Sequence, residues 1–317
     1  MGQERAAKQT IRNIWLEEIK RFNDSYTDDD VPLYLTLSGA EARDIKLLVD
    51  HKLIELTENG SIASGSAKRV VAIERSRLAV LSLQRLFPGL KIVEQEFANL
   101  LVGNSLLRYP TGAHEKLCCA RIVNLDFQDS LTVTEDNGNI NFPTLIWIQK
   151  LAQIHASSKP GQEWCLCLTL NSSITWTQSI ATGIQQFLQD NFKRSAEFEA
   201  SCRQHFGDTL HQSINSDQPF DAQALSLEDK QRLLMVFVPK KIASLVYLQN
   251  WQVKTSRNLR YGGARNEAPM VTWVFSFVWD PRASLAPDVV YKDCLDLIFS
   301  ATGYVSDTGE IDVSWTQ

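Results

Sequence analysis

The residues best suited to chemistry lie where short apolar runs end. Leu33 to Leu37 is followed by Ser38-Gly39-Ala40-Glu41-Ala42-Arg43-Asp44. A glycine at such a bend lets the backbone come close to a ligand, and the start of the next helix offers N–H groups and a positive dipole end. Val70-Val71-Ala72-Ile73 is followed by Glu74-Arg75. A carboxylate in that place can accept hydrogen bonds from both hydroxyls of a ribose; the plainer alternative is a surface carboxylate. Ala120 to Leu125 runs into Asp126-Phe127. There Asn124 and Asp126 either serve a ligand or satisfy backbone groups of the next loop.

Basic residues gather late in the chain. Lys254, Arg257, Arg260 and Arg265 are interleaved with Trp251 and Tyr261, a mixture suited to phosphates and stacked bases. Lys240 and Lys241 can join them, and the alternative is a solvated edge kept from aggregation by charge. The histidines His51, His114, His155, His205 and His211 show no ligand spacing, so no metal is expected. Cys118, Cys119, Cys165, Cys167, Cys202 and Cys294 form no C-x-x-C pair. Cys165 and Cys167 share one face of a strand, and buried free thiols are expected. No serine has the G-x-S-x-G setting of an acyl-transfer hydrolase.

These positions depend on alternating elements. A chain of 317 residues with 44% hydrophobic content can build one large α/β domain with insertions or two ordinary domains. Ile11, Ile14, Trp15, Ile19 and Phe22 recur at helical spacing, and the acidic stretch 23–30 reads as a linker. Strands are predicted at 33–37, 70–73, 91–97, 120–125 and 164–170, and helices at 40–54, 77–87 and 143–155, with a flexible loop at 59–67. Such alternation predicts an α/β fold with a mostly parallel sheet flanked by helices. Residues 176–206 and 226–249 read as a helical insertion joined by a polar segment around 212–223. Then 251–257 and 270–279 read as an antiparallel β-hairpin, and 291–300 as a last helix.

The order of Gly39 after strand one, Glu74 after strand two, Glu96-Phe97 after strand three and Asn124-Leu125-Asp126-Phe127 after strand four resembles a known series. It is similar to the cofactor-binding series of class I, Rossmann-like S-adenosylmethionine (SAM) dependent methyltransferases. The late hairpin resembles the one that ends their sheet, so the resemblance is architectural and spans residues 31 to 300. It implies SAM as cofactor. Ser38, Gly39 and Glu41 would pass beside its methionine part, Glu74 with Arg75 beside it would hold the ribose, and Glu96 and Phe97 would flank adenine. These enzymes commonly show G-x-G-x-G after strand one, whereas Gly39 is followed by Ala40 and Glu41, which leaves an inactive descendant open. Asn124 and Phe127 match the two ends of the motif by which methyltransferases of exocyclic amines hold and stack a flipped base, although its two central prolines are absent. The same string is similar to the Asp-Leu-Asp-Pro run of some tRNA guanine methyltransferases, which makes Asp126 the functional carboxylate.

The expectation is a SAM-dependent methyltransferase or methyltransferase-like protein acting on a nucleic acid or nucleobase amine, with Asn124, Asp126 and Phe127 as acceptor-binding catalytic residues. The alternative is a non-catalytic Rossmann-like subunit that binds a nucleotide or protein in a bacterial multi-protein system such as phage defence. A nicotinamide oxidoreductase fits less well, because G-x-G-x-x-G is missing. With 32 basic and 37 acidic residues the net charge is −5, so nucleic-acid contact must be local, through the basic hairpin. A protein partner would use the helical insertion. The expected organisation is an N-terminal helix and linker (1–30), a cofactor-binding core (31–175), the insertion (176–249) and a completing hairpin and helix (250–317). A cytoplasmic location without a membrane span is expected, since no long uncharged apolar run occurs.

Overall fold

The computed structural model describes residues 6–24, 26, 32–101, 113–127, 131–136, 139–173, 176–262, 268–282 and 298–313. The helical stripe read from the first residues becomes α1 (Ala6–Asp24), with Ile11, Ile14, Trp15, Ile19 and Phe22 all buried. After it come β1 (Tyr34–Leu37), α2 (Arg43–Asp50), α3 (Ser64–Ala67), β2 (Val70–Glu74), α4 (Arg77–Leu86), β3 (Lys91–Glu94), α5 (Phe97–Leu101), α6 (Ala113–Cys118) and β4 (Ile122–Asp126). A small hairpin, β5 (Thr134–Asp136) and β6 (Asn139–Asn141), precedes α7 (Pro143–Ser158) and β7 (Trp164–Asn171). Four helices follow: α8 (Gln178–Arg194), α9 (Ala196–Phe206), α10 (Asp208–Asn215) and α11 (Leu227–Val246). The chain then runs through β8 (Trp251–Tyr261), β9 (Met270–Trp279), β10 (Thr302–Val305) and β11 (Ile311–Asp312).

Nine of these strands form one mixed sheet in the order β11-β10-β8-β9-β7-β4-β1-β2-β3. β1 lies parallel between β2 and β4, and β3 is parallel to β2. The Cys165 N–H donates to Arg121 O, and the Phe127 N–H donates to Thr169 O. The two strands advance together there, so β7 is parallel to β4. Thr169 meets Thr272 at 2.9 Å, while the Ser172 N–H reaches back to Pro269 O. β9 therefore runs against β7, and it is antiparallel to β8 as well. This is the α/β architecture with a late antiparallel hairpin that the sequence predicts.

The chain divides into two compact units. One comprises Ile11–Asp126 and Lys150–Leu168 and carries β1 to β4, the helices among them and most of α7. Its central strands are apolar along their length: Leu35, Val71, Val123 and Leu166 are fully buried, as expected of parallel strands covered on both faces. Ser76 caps α4 by accepting from the Ala79 N–H. The segment read as a flexible loop at 59–67 includes the turn of α3, and a bridge joins Leu56 to Ile62. The third strand ends at Glu94, so that Phe97 opens α5 and sits buried in the core.

The other unit comprises Met1–Thr10, Phe127–Gln149 and Thr169–Gln317. Thr177, Ser195 and Ser226 cap α8, α9 and α11, the last in a reciprocal capping box with Asp229. Gly207, at φ 77°, turns α9 into α10, a left-handed conformation that glycine adopts without strain. The polar joint expected around 212–223 begins inside α10, which holds Leu210, His211 and Ile214 inward. The Gln185 amide nitrogen lies within hydrogen-bond distance of the Ser213, Ile214, Ser216 and Gln218 carbonyls, and Gln189 reaches two of the same oxygens. Two glutamines thus satisfy the carbonyl end of α10. The β5–β6 hairpin rests on α8 at Gly183, where an added Cβ would meet Ile140 Cγ2 at 2.9 Å. The hairpin arm β8 extends to Tyr261, beyond the sequence expectation. Most of the expected last helix, residues 291–297, lies outside the described residues.

Candidate functional site

The carboxyl ends of β1, β2, β3 and β4 bring one row of side chains level. Leu37 is partnered with Ile73 and Thr36 with Asn124. One residue further along β1, Ser38 is therefore level with Glu74 on one side, and with Asp126 on the other. Glu74 in turn faces Glu94. Strand neighbours are about 4.8 Å apart, and residues partnered across a ladder share a face. Glu94, Glu74, Ser38 and Asp126 thus form a line across four parallel strands. The Ser38 hydroxyl donates to Asp44 of α2, so the shared face is the one that α2 covers.

Around this row the bend from β1 to α2 is open. A Cβ built on Gly39 would meet nothing within 4 Å. Ala42, at φ 46°, is the N-cap of α2 and gives it no side-chain cap. A helix start without such a cap is a place for an anionic group. Glu41 pairs with Arg43 at 2.6 Å. Glu74 is half-buried and accepts the Ser76 N–H through Oε1 at 2.7 Å. Arg75 lies exposed, 3.6 Å from the Glu96 carboxylate, and Arg77 pairs with Glu94. Arg43, Arg75 and Arg77 are each matched by a carboxylate.

Asn124 has another place than the end of its strand. The β4 ladder continues to Asp126, leaving Asn124 inside the strand and only 1% exposed. Its amide donates to Tyr34 Oη at 2.8 Å, Tyr34 donates to Asp44 Oδ2 at 3.1 Å, and Thr36 donates to the same oxygen. Asn124 Oδ1 is buried and has no hydrogen-bond partner among the described residues. Burial, then the Asp44 charge, pushes the Tyr34 hydroxyl well above its usual ionisation range, so it stays a donor. Tyr34 and Asp44 were not singled out from the sequence. The available signal was the alternation Tyr34, Thr36, Ser38 in an apolar strand, followed by an acid in the first turn of a helix. Asp126 and Phe127 are both half-buried, and the Phe127 ring lies 6.1 Å from Trp147.

The basic hairpin is divided by a bulge. Lys254 faces Ser276, whereas Arg257 faces Val274 because the register shifts between Thr255 and Arg257. Ser276 and Val274 are two residues apart, so Lys254 and Arg257 share one face and both are exposed. Arg260 is opposite Val271 and turns to the other face. There it donates to Gln231 of α11, lies 3.9 Å from Glu228 and covers the Tyr304 ring. Lys240 and Lys241 sit over Phe198 and Phe187. Arg265 and Cys294 lie outside the described residues; the other five cysteines are buried thiols that form no disulfide. Among the described residues no three His, Cys, Asp or Glu side chains converge on a metal position, and no helix is long and apolar enough to cross a membrane.

No protein-family model matches the chain, and no curated protein matches it.

Two histidines are held neutral by the core. Burial, with Trp164 stacked 4.2 Å away, pulls His155 down to about 3, and burial aided by the Arg232 and Arg260 charges pulls His205 down to about 4. Each folded value lies below the unfolded one, so the unfolded chain binds protons first. Stability present above pH 6.5 is then lost as pH falls towards those values. Urea unfolding at pH 7 and pH 5 should show each histidine contributing about 2 kcal/mol of this loss. His155→Phe, which keeps the stacking, should remove its share; an unchanged pH dependence would contradict the assignment.

Proposed function

We propose that this chain is a SAM-dependent methyltransferase, or a methyltransferase-like protein, whose cofactor lies across the carboxyl ends of β1 and β2. Its acceptor is a nucleic acid or nucleobase amine. The observation that carries this reading is the row of Glu94, Glu74 and Asp126 across the sheet top, beside an open bend at Gly39. A carboxylate-rich row repels phosphates. It suits a nucleoside cofactor without phosphate groups, whose sulfonium and ammonium are cationic and whose ribose hydroxyls are donors. SAM is such a molecule, whereas nicotinamide dinucleotides carry a pyrophosphate.

The residues divide the work by position. Glu74 has a second carboxylate oxygen besides the one that accepts from Ser76, and it holds the ribose hydroxyls. The start of α2, with no side-chain cap, receives the carboxylate of the amino-acid end. Ser38, Gly39 and Glu41 flank that end, and Arg75 with Glu96 borders the nucleoside. Asp126 accepts hydrogens of the acceptor amine, and Phe127 offers a ring for stacking. When bound, the cofactor supplies an activated methyl group, so alignment is the main demand on the protein. The burial of Asn124 favours a second reading, a binding subunit without methyl transfer, because a ligand amine has no access to Oδ1 there.

Calorimetry should find saturable binding of S-adenosylhomocysteine and none of NAD. Replacing Glu74 with Ala should weaken the former about ten- to a hundredfold, the worth of a charged hydrogen bond. Equal affinity in the variant would remove Glu74 from the site. For the acceptor, Lys254→Ala with Arg257→Ala should lower the salt-dependence slope of nucleic-acid binding by about 2. Arg260→Ala, on the opposite face, should leave that slope unchanged. The reverse pattern would refute the hairpin surface.

A further inference from the structure

We infer that Tyr34, Asp44 and Asn124 form a positioning network that fixes the bend from Ser38 to Ala42, and with it the place taken by the amino-acid end of the cofactor. The inference rests on the methyltransferase reading above. Three alternate residues, Tyr34 and Thr36 of β1 and Ser38 just beyond it, each send a hydroxyl to the Asp44 carboxylate. Asp44 stands in the first turn of α2. An acid in that turn commonly faces the helix N-terminus; here its side chain turns back to the strand instead. One carboxylate thus ties the end of β1 to the beginning of α2, and the short bend between them is closed at both ends. Within it, the Ala42 N–H donates to Gly39 O, and Ala42 is held in the left-handed region at φ 46°. Without glycine's freedom at Ala42, the surrounding bonds must hold that conformation.

Asn124 sets the direction of the network. The Tyr34 hydroxyl has one proton, and the Asn124 amide takes an acceptor side at 2.8 Å, so the proton goes to Asp44. Burial of Tyr34 keeps that proton in place. Asn124 is then a positioning residue, acting through Tyr34 on α2, which accounts for an amide lodged mid-strand. Its consequence for ligand binding is a preformed bend whose shape is set by the strands and does not wait for the ligand.

The test uses the full chain and two variants. Tyr34→Phe deletes a single oxygen, and Asp44→Asn, nearly isosteric, carries the test should the first not fold. Amide hydrogen exchange is measured along the chain, S-adenosylhomocysteine affinity by calorimetry, and folding by thermal unfolding. Exchange of the Ala42 and Lys46 amides, which donate to Gly39 O and Ala42 O, should rise at least about tenfold while β4 and β7 stay protected, and the Kd should rise about tenfold, the equivalent of one lost hydrogen bond. Wild-type binding with unchanged affinity in the variants, or a rise in exchange spread evenly over the unit, overturns the inference alone. A wild-type chain that does not bind S-adenosylhomocysteine overturns the methyltransferase reading and the cofactor half of this inference together.

Discussion

The parallel register of β1 between β2 and β4 is the constraint on which the site depends. Because Leu37 pairs with Ile73 and Thr36 with Asn124, the carboxyl ends of neighbouring strands finish at one height. A shift of one residue would turn Glu74 or Asp126 to the other face of the sheet, and the row would be lost. That register is enforced by burial on both faces: Leu35, Val71 and Val123 are fully enclosed, so slippage would carry polar residues such as Thr36 and Asn124 into positions without partners. The cost of an unpaired buried polar group is about 1–3 kcal/mol, which is enough to choose one register.

Charge then determines what such a row can receive. Glu94 is matched by Arg77, and Arg75 by Glu96. In the proposed reading the row favours donors and cations over phosphates, and the start of α2 offers the opposite preference. The arrangement is asymmetric along the bend, as the proposed ligand, with hydroxyls at one end and a carboxylate at the other, requires. On β8 and β9 a single bulge separates charges in a comparable way. Lys254 and Arg257 face solvent together, whereas Arg260 is spent on Gln231, Glu228 and Tyr304.

Much of this was legible in the sequence because strand periodicity and apolar runs are local signals. The β1, β2, β4 and β7 runs, the helix stripes and the late hairpin lie within a few residues of the expected bounds. So does the position of Glu74 directly after an apolar strand. What escaped depends on partners distant in sequence. Asn124 looks like a strand-end acceptor until Tyr34, ninety residues earlier, claims its amide. The polar segment read around 212–223 begins inside α10, because the glutamines that satisfy that helix's end belong to another helix. Lys254, Arg257 and Arg260 read as one patch, since a bulge is a property of the pair of strands and not of one. β10, Thr302-Gly303-Tyr304-Val305, is no apolar run, and β11 has only two residues.

The most direct measurement is the structure of the chain crystallised with S-adenosylhomocysteine. Ligand density is expected over Gly39, with ribose hydroxyls within about 3 Å of a Glu74 carboxylate oxygen and the amino-acid carboxylate at the first turn of α2. Density elsewhere on the molecule, or a bend at residues 38–42 left empty at saturating ligand, would contradict it.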